Sequence, residues 1–183
     1  MGKRPRRLSC SGTHPDSRIL SWTWIGGKKF SQIGSWTLGD TAFLFDTNVI
    51  SDATKPRPAP GLNRFLEQVE LLNIFVSVVS LGEIRRGIEV ADDPAKRAAL
   101  MVWLQQDVLN RHAGRILPIS GGVMETWALM IAATGRKPGQ LPVFDGLIAA
   151  TALHHRLTVV TRNTADFAAF GVPLFNPFSE ELR

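Results

Sequence analysis

The feature that most constrains this chain is a short apolar run that stops at a carboxylate. Phe43-Leu44-Phe45 ends in Asp46, and Thr47 and Asn48 follow at once. Such a run reads as a buried strand entering a loop. It carries a negative charge to the strand's carboxyl end, the edge where ligands bind in open α/β sheets. Later apolar runs at 74–79, 115–119, 157–161 and 173–175 have strand character and alternate with helical patterns. That alternation specifies an α/β fold, a three-layer α/β/α arrangement with a central parallel sheet of about five strands. Right-handed crossovers restrict the strand order further.

The helical segments are read as follows. Thr47–Ala53 forms a short helix, broken by the Pro56, Pro58, Pro60 and Gly61 cluster. Residues 62–71 place Leu62, Phe65, Leu66 and Val69 on one side. Ser80-Leu81-Gly82-Glu83 opens a helix to about Val90. Asp93-Pro94 starts another, with Leu100, Leu104 and Val108 at four-residue spacing. Val123, Trp127, Met130, Ile131 and Thr134 form the apolar stripe of the next. Residues 143–154 form an Ala- and Leu-rich helix, and 165–170 a short one.

Composition sets outer limits. Hydrophobic residues make up 44% of the 183 and charged residues 20%, enough to bury a core. The single cysteine excludes an intramolecular disulfide and a cysteine metal cage, and fits a reducing cytoplasm. No apolar run is long enough to span a bilayer, so no membrane association is expected. The net charge of +5 is unevenly placed. Residues 1–40 hold seven basic and two acidic side chains, and the remaining 143 hold fourteen of each. The basic balance therefore belongs to the first segment, and the folded core has no net charge with which to grip nucleic acid.

Residues 1–40 are rich in Ser, Gly and basic residues and hold Trp22, Trp24 and Trp36 without periodicity. They are expected to be a disordered extension. A basic nucleic-acid arm with stacking tryptophans and a targeting peptide are the functional readings. The preferred reading is a start assigned too far upstream, because organised patterning begins only near Thr41.

Four carboxylates follow strand-like runs or open helices: Asp46, Glu83, Asp145 and Asp166. Each has a structural explanation. Asp46 can cap a helix, Ser80 and Glu83 match a capping box, Asp145 can offset a helix dipole, and Asn163 with Asp166 forms another cap arrangement. Together they suggest more. With the first strand central, flanked by the second and by the 157–161 strand, these turns share one edge. Like charges gathered there call for a cation, and oxygen-only ligation favours Mg²⁺ or Mn²⁺ over zinc. Thr47, Thr161 and Asn163 supply short polar groups for metal-bound water or a phosphate oxygen. His112, His154 and His155 read as helix-end or surface residues. Such a site suits phosphodiester hydrolysis by metal-activated water.

The residues then match a family. LFDTNVIS, SVVSLGEIRRGI, GRILPI, LPVFDGLIAATALHHRLTVVTRN and the closing LFNPF resemble PIN-domain ribonucleases. Within these, the segments resemble the VapC-like toxins of toxin–antitoxin pairs, in the FitB-like branch. The resemblance implies a PIN domain over residues 41–183 and a catalytic, metal-binding set of Asp46, Glu83 and Asp145. Asp166 takes the fourth role, since Asn163 stands at the position next to the Thr-Arg pair. It also implies an RNA substrate, a homodimer and a cognate antitoxin that pushes a basic group into the acidic pocket. Arg85 and Arg86 are candidates for touching RNA phosphate or antitoxin, or form a solvated helix face. Family members usually begin a few residues before the first Asp, unlike this chain.

The leading expectation is a metal-dependent endoribonuclease toxin. A second is a non-catalytic half of a DNA-binding toxin–antitoxin complex in which the antitoxin touches DNA. A phosphoacceptor receiver domain is disfavoured because no Lys follows Lys137, and a dinucleotide fold because no Gly-x-Gly-x-x-Gly follows the first strand.

Overall fold

A computed structural model describes residues 41–136 and 139–179. The expectations for residues 1–40 lie outside the described residues. Five short strands form one all-parallel sheet: β1 (Phe43–Phe45), β2 (Ile74–Ser77), β3 (Ile116–Leu117), β4 (Thr158–Val160) and β5 (Leu174–Phe175). Their order is β3-β2-β1-β4-β5. The strand that carries Asp46 is central, as expected. Phe43 pairs with Ile74 on one side and with Thr158 on the other.

Strand alternation divides the core into two layers. Phe43, Phe45, Ile74, Val76 and Val160 join one cluster with Val49, Ile50, Leu62, Phe65, Ile84, Ile88, Leu104 and Val108. Those residues come from α1 (Thr47–Ala53), α2 (Pro60–Gln68), α3 (Val78–Glu89) and the helical segment that begins at Leu104. Leu44 and Val159 face the other way, onto Val123, Met130, Ile148, Ala149, Ala152 and Phe167. These come from α5 (Gly121–Ala133), α6 (Val143–His155) and α7 (Thr164–Phe167). Leu44 is fully buried, and a side chain of that kind contributes about 1.5–3 kcal/mol. Phe65 anchors the first layer, its ring 5.1 Å from Phe43 edge-on and 4.7 Å from Phe175.

Several boundaries move for physical reasons. The second strand stops at Ser77 rather than Val79. The Ser77 hydroxyl accepts the Val79 amide at 3.1 Å, so Val78 and Val79 open α3 despite their β-branching. The expected Ser80–Glu83 capping box does not form. Ser80 lies inside the helix, its hydroxyl buried with no hydrogen-bond partner among the described residues. Pro60 does not break structure; it starts α2, where its missing N–H costs nothing. Helix α4 (Pro94–Trp103) is capped by Asp93 and runs into a π-helical segment, Leu104–Asn110, that its periodicity did not reveal. His112 follows the end of that segment, as the helix-end reading expected, but it is not a surface residue: it is buried, and its Nδ1 lies 2.8 Å from the Val108 carbonyl. Burial pushes its basicity down. Among the described residues, no helix is long and apolar enough to cross a membrane.

Candidate active site

Asp46 sits at the junction of β1 and α1. Its backbone N–H still belongs to the sheet and donates to the Val160 carbonyl at 3.0 Å. Its side chain already caps α1, one oxygen accepting the Thr47 amide at 2.7 Å. The other oxygen accepts the Thr161 hydroxyl at 2.7 Å and the Asn48 amide. Asp46 is buried, and burial is the largest influence raising its pKa; the Glu83 charge adds to it. The Thr161, Thr47 and Asn48 hydrogen bonds act in the opposite direction, and the net shift is upward.

Glu83 approaches from α3. The Thr47 hydroxyl donates to its Oε2 at 2.6 Å. One residue on α1 therefore links two acids brought from different strand ends. Glu83 stands in the second turn of α3, not the first, because the helix begins at Val78.

Asp145 lies in the first turn of α6 and Asp166 in the first turn of α7. The pKa of Asp145 rises from 3.8 to about 6. Burial is the leading cause, followed by the negative charges of Asp46, Asp166 and Glu83. The other three sequence-predicted acids thus act on this one carboxyl group across the carboxyl edge of the sheet. Among the described residues, no three His, Cys, Asp or Glu side chains are grouped as a metal-binding cluster. Asp46, Thr47, Glu83 and Thr161 are joined by direct hydrogen bonds, whereas Asp145 and Asp166 are coupled to them through charge.

The polar residues divide by what their atoms do. The hydroxyl protons of Thr47 and Thr161 are committed to carboxylates. The Thr161 oxygen also accepts the Asn163 amide at 3.0 Å. Asn163 opens α7 without a side-chain cap bond. Asn48 is the residue that sequence reasoning missed. Its Nδ2 donates to Asp46 and, at 3.2 Å, to Thr161, and its Oδ1 accepts the Arg162 amide at 3.1 Å. The available signal was its place two residues after Asp46, on a turn that needs a donor beside a buried anion. Arg85 is paired along its own helix with Glu89, at 2.6 Å, which favours the solvated-face reading. His154 and His155 are exposed at the end of α6.

Gly146 explains how α6 comes so close. A Cβ there would stand 3.2 Å from Trp127 Nε1 and 3.4 Å from Phe170 Cζ. The residue next to Asp145 is therefore packed directly against an indole ring.

The fold and site define a parallel α/β/α domain whose polar machinery is an acidic carboxyl rim. The family model described as "PIN domain" matches residues 43–172. The chain is 35% identical over 137 residues to Toxin FitB of Neisseria gonorrhoeae, an alignment covering 75% of this chain and 99% of that protein. It is 30% identical over 135 residues to VapC ribonuclease Y4jK of Sinorhizobium fredii, covering 74% and 96%. Among solved structures, FitAB bound to an IR36 DNA fragment superimposes with a TM-score of 0.68 at 34% identity, covering 76% of this chain and 97% of that one. This chain belongs to the PIN-domain family.

Proposed function

We propose that the protein is a divalent-metal-dependent endoribonuclease, the toxin of a toxin–antitoxin pair, working in the cytoplasm as a homodimer restrained by a cognate antitoxin. Residues 41–183 form the PIN domain, and residues 1–40 are an extension to it. The observation that carries the reading is the shared electrostatics of the rim: Asp46, Glu83 and Asp166 all raise the pKa of Asp145. The ion pairs seen among the described residues lie elsewhere, joining Lys55 and Arg162 to Asp52 and Arg85 to Glu89.

The donor chemistry fits a hard cation, Mg²⁺ or Mn²⁺, since every candidate ligand is a carboxylate oxygen. Asp46, Glu83, Asp145 and Asp166 would hold it. When bound, the ion supplies an activated water and charge neutralisation at the scissile phosphate. The chain's own contribution is orientation. Thr161, Asn48 and the Thr47 amide hold Asp46 in one rotamer, and the Thr47 hydroxyl aims Glu83. The first turn of α6 keeps Asp145 near a positive helix end. Thr47 and Thr161 act by positioning carboxylates, and Asn163 by presenting its exposed side chain at the rim.

A second reading is a non-catalytic partner in a DNA-binding regulatory complex. It is favoured by the likeness to FitAB, whose structure is described as bound to DNA. Purified, antitoxin-free protein incubated with RNA and Mg²⁺, beside Asp46→Asn and Asp145→Asn, separates the two. The nuclease reading expects cleavage that both substitutions abolish. Equal activity in all three proteins would remove it.

A further inference from the structure

We infer that Arg162 and Lys55, mounted together on the buried Asp52, form a subsite for a backbone phosphate of single-stranded RNA beside the acidic rim. This rests on the ribonuclease reading and adds a substrate-binding site to it. Asp52 lies near the end of α1, about 9 Å along the helix from Asp46 at 1.5 Å per residue. Its carboxylate is buried, yet it holds two cations: Lys55 Nζ at 2.5 Å and Arg162 Nη2 at 3.4 Å. The Ala59 amide donates to its second oxygen at 2.9 Å. One anion against two cations leaves a surplus positive charge. Both cations are about half exposed, with side-chain exposures of 57% and 48%, so the surplus faces solvent.

Arg162 is also preorganised. Its guanidinium carbon lies 4.0 Å above the Phe178 ring. Its backbone is tied at both ends, the N–H to Asn48 and the carbonyl to Asn176 Nδ2 at 3.3 Å. A stacked guanidinium with one edge on a carboxylate keeps other N–H donors directed outward, the geometry that suits a phosphate fork. The position is set by the catalytic network itself. Thr161, the preceding residue, donates to Asp46, and Asn48 bonds to both Asp46 and the Arg162 amide. For a strand of RNA whose scissile phosphate lay over Asp46, this pair would offer a positive site at the far end of α1. The folded core carries no net charge to hold RNA elsewhere by general attraction, so a local cationic site is the means available.

The test uses full-length protein carrying Asp145→Asn to prevent cleavage. Binding of a short fluorescein-labelled single-stranded RNA of random sequence is followed by anisotropy across a salt series. Lys55→Gln and Arg162→Gln are each expected to weaken binding across sequences. Each should also flatten the log Kd against log salt slope by about 0.7, the share of one phosphate neutralised by one cation. Thermal melts confirm that each variant folds; should Arg162→Gln not fold, the exposed Lys55→Gln decides alone. An unchanged affinity and slope overturns the subsite, as does a lowered Tm with no change in slope, which would mark Arg162 as a structural clamp only. RNA cleavage by the unsubstituted protein is scored separately, so the ribonuclease reading and the subsite fail by different readouts.

Discussion

Replacing Asp145 by Asn should make the protein more stable while abolishing RNA cleavage. Asp145 has a pKa of about 6 in the folded chain against 3.8 for the free side chain. At about 1.4 kcal/mol per pH unit, that gap corresponds to at most about 3 kcal/mol. Asp145 is only half-buried, and solvent screening of its neighbours' charges lowers the expected share to about 1–2 kcal/mol. Because the folded value lies above the unfolded one, the native state binds the extra proton between those two values. The contribution of this one carboxyl group to stability is therefore fully present below about pH 4 and is lost as pH rises through about 6. Above that range the ionised Asp145 works against burial and against Asp46, Asp166 and Glu83. Asn carries no charge and escapes that repulsion. In urea unfolding with EDTA present, Asp145→Asn should exceed the wild type by about 1–2 kcal/mol near pH 8, with the two converging near pH 4. Adding Mg²⁺ should raise the wild-type midpoint near pH 8 and move the variant's far less, since binding to the native state alone adds stability. A variant no more stable than the wild type near pH 8 would refute the claim that these acids repel one another across the rim.

Thr161→Val removes a buried hydroxyl that donates to an anion, and should cost about 1.5–3 kcal/mol in urea unfolding; Thr161→Ser, which retains the donor, should recover most of it. The same Val change should raise the acid limb of the cleavage pH profile, because the Thr161 bond is the strongest influence lowering the Asp46 pKa. Gly146→Ala places a methyl group 3.2 Å from the Trp127 indole. A helix-propensity gain of up to about 1 kcal/mol opposes an overpacking cost of about 1–3 kcal/mol. Little or no stabilisation in urea is expected, with slower cleavage as α6 shifts under Asp145; unchanged cleavage would separate the glycine from the site. Ser77→Ala deletes the α3 cap and should lose about 1 kcal/mol by thermal unfolding.

The layout of the sheet was legible because burial writes itself into short apolar runs. Phe43–Phe45 and the run before Thr161 have little polar interruption, so they read as interior strands, and the carboxylate after the first run marked the ligand edge. The start of α3 was less legible. Ile74 to Val79 is apolar with strand-forming residues throughout except Ser77, and periodicity cannot say where a buried strand becomes a buried helix. The Ser77 cap decides it, and that depends on a hydroxyl finding the Val79 amide. The four acids were visible as punctuation after strands. Asn48 gave only a local hint, its place two residues after Asp46; its bonds to Thr161 and Arg162, more than a hundred positions away, left no trace in the sequence. The burial of His112 and the π-helical turn before it arise from tertiary packing, which no local pattern records.

The central place of β1 has a consequence for how the protein is made. Its two neighbours, β2 and β4, are encoded well downstream, and β4 needs β5 to cover its own outer edge. On the ribosome, the strand bearing Asp46 emerges early and waits with one side unpaired until residues 158–160 follow. Asp145 and Asp166 also arrive late, so the four acids can share one sheet edge only near the end of synthesis. A chain that stops before Thr158 leaves β1 without its β4 neighbour, an open strand edge fit for proteolysis.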